Sequence, residues 1–267
     1  MMLSAKRFQQ PSILQLMTVL LGFHLLAVPS IAGTPYAPDR PERGSIEAIE
    51  RFTTDPQFVS PWVAYVPEAD GVPSPTDFLG RIVGTPGELT RVEEIAGYMK
   101  ALAEASPRVH LETIGRTEEG REILLVAISD EVGIRALPDL KSATARLADP
   151  RTTDPQRAEE IIAGARPIFY INAGLHGDET SGPEAALELA YRLAVSDAPM
   201  VRRIRERLVV LINPVANPDG RAKVADWFYR YLKGRTDYDS LPRQSPPYWG
   251  HYVFVDANRD AHQQTQE

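Results

Sequence analysis

The sequence predicts an α/β fold: a mixed, mostly parallel central sheet with helices on both faces. Three observations carry this. Two nearly continuous apolar runs, "RPIFYINAGL" (166–175) and "RLVVLINPV" (207–215), have the length and β-branched content of buried strands. Helical patterns separate them, and strand, helix, strand in that order implies a crossover connection. Upstream, "RVHLETIG" and "EILLVAIS" flank the polar turn 116–121 and read as a hairpin.

Taken in order, Lys6 and Arg7 precede an apolar run from Ile13 to Val28, and Ser30-Ile31-Ala32 places small residues at the −3 and −1 positions of a cleavage site. Residues 1–32 are therefore expected to be a secretory signal peptide, which makes the protein exported, periplasmic or extracellular. The run is short for a membrane span of about 20 residues, and Gln15 and His24 interrupt it, so no membrane association is expected after cleavage. Residues 33–75 are rich in proline and acids and read as a linker or an extended arm lying on the domain. The domain is expected over 76–267.

From Thr90 the pattern turns helical. Thr90-Arg-Val-Glu93 reads as a capping box, and Val92, Ile95, Ala96, Met99, Leu102 and Ala103 share one face up to Ser106-Pro107. After the hairpin, residues 131–166 are polar and partly helical and read as a surface insertion. The first apolar run leads into "HGDETSGPE", with Ser181 and Glu184 as a cap pair for a helix over 183–194. A short helix over 200–207 precedes the second run, which ends in the turn-rich "NPVANPDGR".

The chain of 267 residues has no cysteine and a net charge of −7, which excludes thiolate metal ligands and disulfides. The only basic cluster, Arg202–Arg207, is broken by Ile204 and Glu206, so nucleic acid is not an expected partner. Ligand sites in open α/β sheets lie beyond the carboxyl ends of strands. There the sequence places His176 and Glu179, then "NPDG" (217–220), and, after a further apolar run, "FVDANRDAH" (254–262). On spacing alone, His176-x-x-Glu179 reads equally as half a metal site or as a polar loop, and Asn-Pro-Asp-Gly as plain turn chemistry.

Together and in order, "GLHGDETSG", "NPDG" and "DANRD" resemble the zinc carboxypeptidases of the carboxypeptidase A type. The stretch from Leu89 to Ser129, with its "EGR" turn, resembles the opening helix and hairpin of that family. The resemblance implies zinc bound by His176 and Glu179, with Asp256 orienting the ligand histidine. It implies Asn258 and Arg259 gripping the substrate's terminal carboxylate, Arg121 near the outer substrate subsites, and Arg230 polarising the scissile carbonyl, with Arg235 as the alternative. The implied substrate is a peptide or amino acid conjugate, hydrolysed by metal-activated water.

The family takes its third zinc ligand and its general-base glutamate from strands beyond the Asn-Arg pair, whereas this chain ends at Glu267. The resemblance thus implies an amino-terminal fragment with its carboxy-terminal part missing and weak activity of its own. His251 and His262 are the remaining candidates for a substitute ligand. An N-acyl amino acid deacylase of the succinylglutamate desuccinylase and aspartoacylase type shares the "HGxET" strand end, and a non-catalytic exported binding module would share the cleft; the "EGR" hairpin and the "NPDG" turn favour the carboxypeptidase branch.

Overall fold

The structure is a computed structural model that describes residues 39–244. The expected signal peptide, as well as His251, Asp256, Asn258, Arg259 and His262, lies outside the described residues. Among those described, no helix is long and apolar enough to cross a membrane.

The amino-terminal elements are α1 (Ser45–Phe52), α2 (Pro75–Leu79) and α3 (Val92–Ala105). The segment expected as a linker or arm carries α1 and reaches the core through Val66. Its ties are specific: Tyr191 Oη donates to Pro67 O at 2.8 Å, and the Asp39 carboxylate accepts from Asp197 N at 2.6 Å and from Tyr65 Oη at 3.0 Å. Beside the Asp39 charge, and with burial the larger cause, the Tyr65 phenol is pushed up to about 12.

Helix α3 buries Val92, Ile95, Tyr98, Met99 and Leu102, an i, i+3, i+4, i+7 stripe, each large side chain contributing on the order of 2 kcal/mol. Its cap lies one residue later than the sequence suggests. Arg91 N donates to Glu94 Oε2 at 2.7 Å, because Thr90 is engaged elsewhere, by Glu184.

The hairpin is β1 (Val109–Arg116) and β2 (Glu122–Ile128), antiparallel, with a register shift between Thr113 and Gly115. Next come three helices, α4 (Glu131–Arg135), α5 (Leu137–Ala148) and α6 (Pro155–Gly164). Strand β3 (Ile168–Asn172) leads to α7 (Ser181–Val195) and α8 (Pro199–Arg207), then β4 (Val209–Asn213), α9 (Pro218–Trp227) and a π-helical turn, Phe228–Leu232.

The sheet order is β1-β2-β4-β3. The mixed α/β class holds, but of the pairings among the described strands only β3/β4 is parallel, since the hairpin turns β1 and β2 antiparallel to their neighbours. Alternation splits the strands between two layers. Leu124, Val126, Ile128, Val210 and Ile212 face α3 and α7 in the main core. Leu125, Ala127, Val209 and Leu211 face a cleft of about 980 Å³ under α4 and α5. The stretch 131–166 is thus the helical layer of the second face.

Strand β4 is buried almost throughout, as its apolar run predicts. Strand β3, expected to be buried on both faces, is not: Phe169 and Tyr170 are more than half exposed. Among the described strands β3 has a single neighbour, so its apolar side chains lie at an edge. Helix α7 starts at Ser181 without a side-chain cap, so the expected Ser181–Glu184 pair does not form.

Candidate metal centre at the strand ends

Three loops meet at the carboxyl ends of β3 and β4. The chain leaves β3 as Ala173-Gly174 and β4 as Pro214-Val215-Ala216, and the exits stay side by side through Ala216 N to Ala173 O (2.7 Å) and Asn217 N to Gly174 O (3.1 Å). Because β2 runs antiparallel to β4, the hairpin turn 117–121 comes to the same edge.

The first loop holds His176 and Glu179. His176 is buried at 8 % exposure, whereas the Glu179 side chain is largely exposed. Imidazole Nδ1 lies 3.1 Å from Glu179 Oε1, and Glu179 N donates to His176 O at 3.2 Å, which closes the loop into a single turn. Zinc bonds nitrogen and carboxylate oxygen at about 2.0–2.2 Å, so two donors on one tetrahedral ion sit roughly 3.4 Å apart. The pair therefore fits a shared ion in donor type and in spacing. Among the described residues no three His, Asp or Glu side chains form a complete ligand set.

The second loop is "NPDG". It is a helix start rather than a free turn: Asn217 Oδ1 accepts from Gly220 N at 2.7 Å and Pro218 opens α9. The two loops interlock through glycines. A methyl group on Gly177 would fall 2.3 Å from Gly220 C and 2.8 Å from Arg221 N, so only glycine admits this approach.

Two buried charges complete the junction. Asp219, fully buried, accepts from Thr117 Oγ1 (2.8 Å), Glu119 N (3.1 Å) and Arg121 Nη1 (2.7 Å), which fastens the hairpin turn to α9. Arg121 also donates to Glu119 Oε2 at 2.6 Å. Burial opposes its charge, but these two carboxylates outweigh burial and raise its pKa. Arg221, also fully buried, donates to Thr90 O (2.9 Å from Nη2), Thr180 O (3.3 Å from Nη1) and Glu184 Oε1 (2.7 Å from Nη2). Burial pulls its pKa down, with Glu184 acting against that, and a guanidinium keeps its proton regardless.

Of the other sequence candidates, Arg230 is exposed on the π-helical turn, its guanidinium carbon 5.8 Å from the Tyr231 ring centre, and Arg235 is exposed just beyond. Sequence reasoning missed Glu184's part in the junction, Asp219 and Arg221. The available signal was Gly177, a glycine between two candidate ligands, which marks a close backbone approach.

An α/β sheet that brings a histidine and a glutamate within 3.1 Å at its strand ends presents two donors of the kinds that zinc takes, where open α/β sheets place their ligands. The sequence profile of the zinc carboxypeptidases matches residues 95–266, and the chain belongs to that family. Zinc carboxypeptidase A 1 of Drosophila melanogaster is 26% identical over 173 residues, which cover 64% of this chain and 34% of the relative. Among solved structures, carboxypeptidase A from Helicoverpa armigera is similar at 22% identity and a TM-score of 0.39, over 57% of this chain and 30% of that one. Thrombin activatable fibrinolysis inhibitor is similar at 17% identity and a TM-score of 0.38, over 54% and 28%. The chain spans about a third of the length of the relatives it matches.

Proposed function

We propose that the protein acts as a zinc-dependent metallocarboxypeptidase that hydrolyses carboxy-terminal amino acids from peptides. The observation that supports this most directly is the 3.1 Å approach of His176 Nδ1 to Glu179 Oε1 at a strand end in a member of the zinc carboxypeptidase family. Zinc held there would polarise the scissile carbonyl and bring the pKa of its water to about 7. His176 and Glu179 would hold it, with Asp256 to orient the imidazole of His176. Asn258 and Arg259 grip the substrate's terminal carboxylate with a planar fork of donors. Arg230, or Arg235 behind it, stabilises the oxyanion. Arg121 has a second role beside its structural pairs, lining the outer subsites. Export follows from the Lys6–Ala32 pattern, and amino-terminal sequencing of the secreted product should begin at Gly33.

The test is release of carboxy-terminal residues by the full-length protein, with and without zinc. His176→Ala should abolish it, and Arg259→Ala should harm free-ended peptides far more than amidated ones. Zinc-independent hydrolysis, or full activity in His176→Ala, would overturn the reading.

A further inference from the structure

We infer that Arg221 is the positioning residue of the metal-ligand pair, a role that rests on the zinc reading above. Two observations converge on it. Its backbone nitrogen lies against Gly177, the residue after His176, so closely that a Cβ there would stand 2.8 Å away. Its guanidinium donates to the carbonyl of Thr180, the residue after Glu179. One residue therefore holds the ligand-bearing loop on both sides, at the step out of His176 and at the step out of Glu179.

The same guanidinium is anchored away from the loop by Glu184 and by two bonds to Thr90 O, so it cannot swing without taking the cationic partner from the Glu184 carboxylate. Glu184 is fixed in turn by Thr90 N (2.7 Å) and Thr90 Oγ1 (2.6 Å). The ligand loop, the start of α7, the start of α3 and the start of α9 thus share one planar fork. A lysine supplies the charge but not the fork: a single ammonium cannot serve Thr90 O, Thr180 O and Glu184 from one position in the same geometry.

Arg205 provides an internal comparison. It is also buried, and it donates to Leu193 O, Ser196 O and Asp197 at the opposite end of α7. A general loss of core order would follow from altering either arginine, whereas a loss of ligand geometry would follow from Arg221 alone.

The experiment measures Zn²⁺ affinity of the folded 267-residue chain by competition with a chelating dye, with folded fraction read by circular dichroism. The variants are Arg221→Lys, Glu184→Gln and Arg205→Lys. Arg221→Lys should weaken Zn²⁺ binding about 10- to 100-fold, the range seen when a group supporting a metal ligand is altered. Glu184→Gln, which keeps an acceptor but removes the anchoring charge, should weaken it less, by several-fold. Arg205→Lys should lower thermal stability and leave Zn²⁺ affinity unchanged. Wild-type affinity in folded Arg221→Lys overturns the proposal, as does an equal loss in Arg205→Lys. If Arg221→Lys does not fold, wild-type affinity in Glu184→Gln overturns it. Wild-type binding that survives His176→Ala would bring down the zinc reading itself and this role with it. That result differs from His176-dependent binding that ignores Arg221.

Discussion

Replacing Gly177 with alanine tests the junction between the two strand-end loops at its tightest point. The added methyl carbon would lie 2.3 Å from Gly220 C and 2.5 Å from Gly220 O. Ordinary contact begins near 3.5 Å, so the loops must part by about 1 Å. Neither neighbour is a flexible side-chain end. Both are backbone, and the backbone is fixed by the Asn217 cap on one side and by the His176–Glu179 turn on the other. Overpacking of this kind costs about 1–3 kcal/mol, and the rigid surroundings put the expectation at about 2–3 kcal/mol. For a domain of this size that lowers the melting temperature by roughly 4–12 °C. Calorimetry or circular dichroism melts would read it, with Gly164→Ala as the control, since a Cβ at Gly164 meets open space and alanine favours the helix. A Gly177→Ala melt within about 1 °C of wild type would refute the interlock, because no relaxation of that size is free in a close-packed site.

Asp219→Ala should cost about 1–3 kcal/mol, because it removes the buried acceptor shared by Thr117, Glu119 N and Arg121, while Arg121 keeps its pair with Glu119; a urea midpoint within error of wild type would count against it. Tyr229→Phe should cost about 1 kcal/mol through the lost bonds to Leu89 O (2.7 Å) and Leu89 N (3.1 Å), and a stability change near zero would show that water replaces them. The Asp130 carboxyl sits below its usual range: burial alone would raise it, but Arg166 and the Gly133 amide prevail. Its contribution is therefore present above about pH 3.8 and lost as pH falls through the lowered value. Denaturation across pH 2–6 should show Asp130→Asn less stable than wild type at pH 6, with the gap closing in acid; a constant gap would contradict the linkage.

Much of the scaffold was legible because it rests on local period. The α3 stripe, the hairpin and the central run of β4 follow from spacing alone. Strand β3 was legible as a strand but not in its burial, since an apolar run records composition and not the number of neighbours a strand finds. The caps misled for one shared reason. Thr90 and Glu184 each carry good capping chemistry for their own helix, and the fold spends both on each other and on Arg221. At the site, His176 and Glu179 stood out because their partnership is local. Asp219 and Arg221 did not, because Thr117 lies 102 residues from Asp219 and Thr90 lies 131 residues from Arg221. Such a pairing exists only once the strands have been ordered in space.

That separation also sets an order of events during synthesis. The ligand loop leaves the ribosome before the residue that holds it: 41 positions separate Thr180 from Arg221. At about 5–20 residues per second this is an interval of roughly 2–8 s. For most of it, His176 and Glu179 belong to a chain whose β3 has no β4 beside it, and the NPDG start arrives only at its end. The hairpin, by contrast, closes from neighbouring residues within microseconds of emerging. Until then the two side chains are free to drift apart, and their 3.1 Å approach is braced only when α9 arrives.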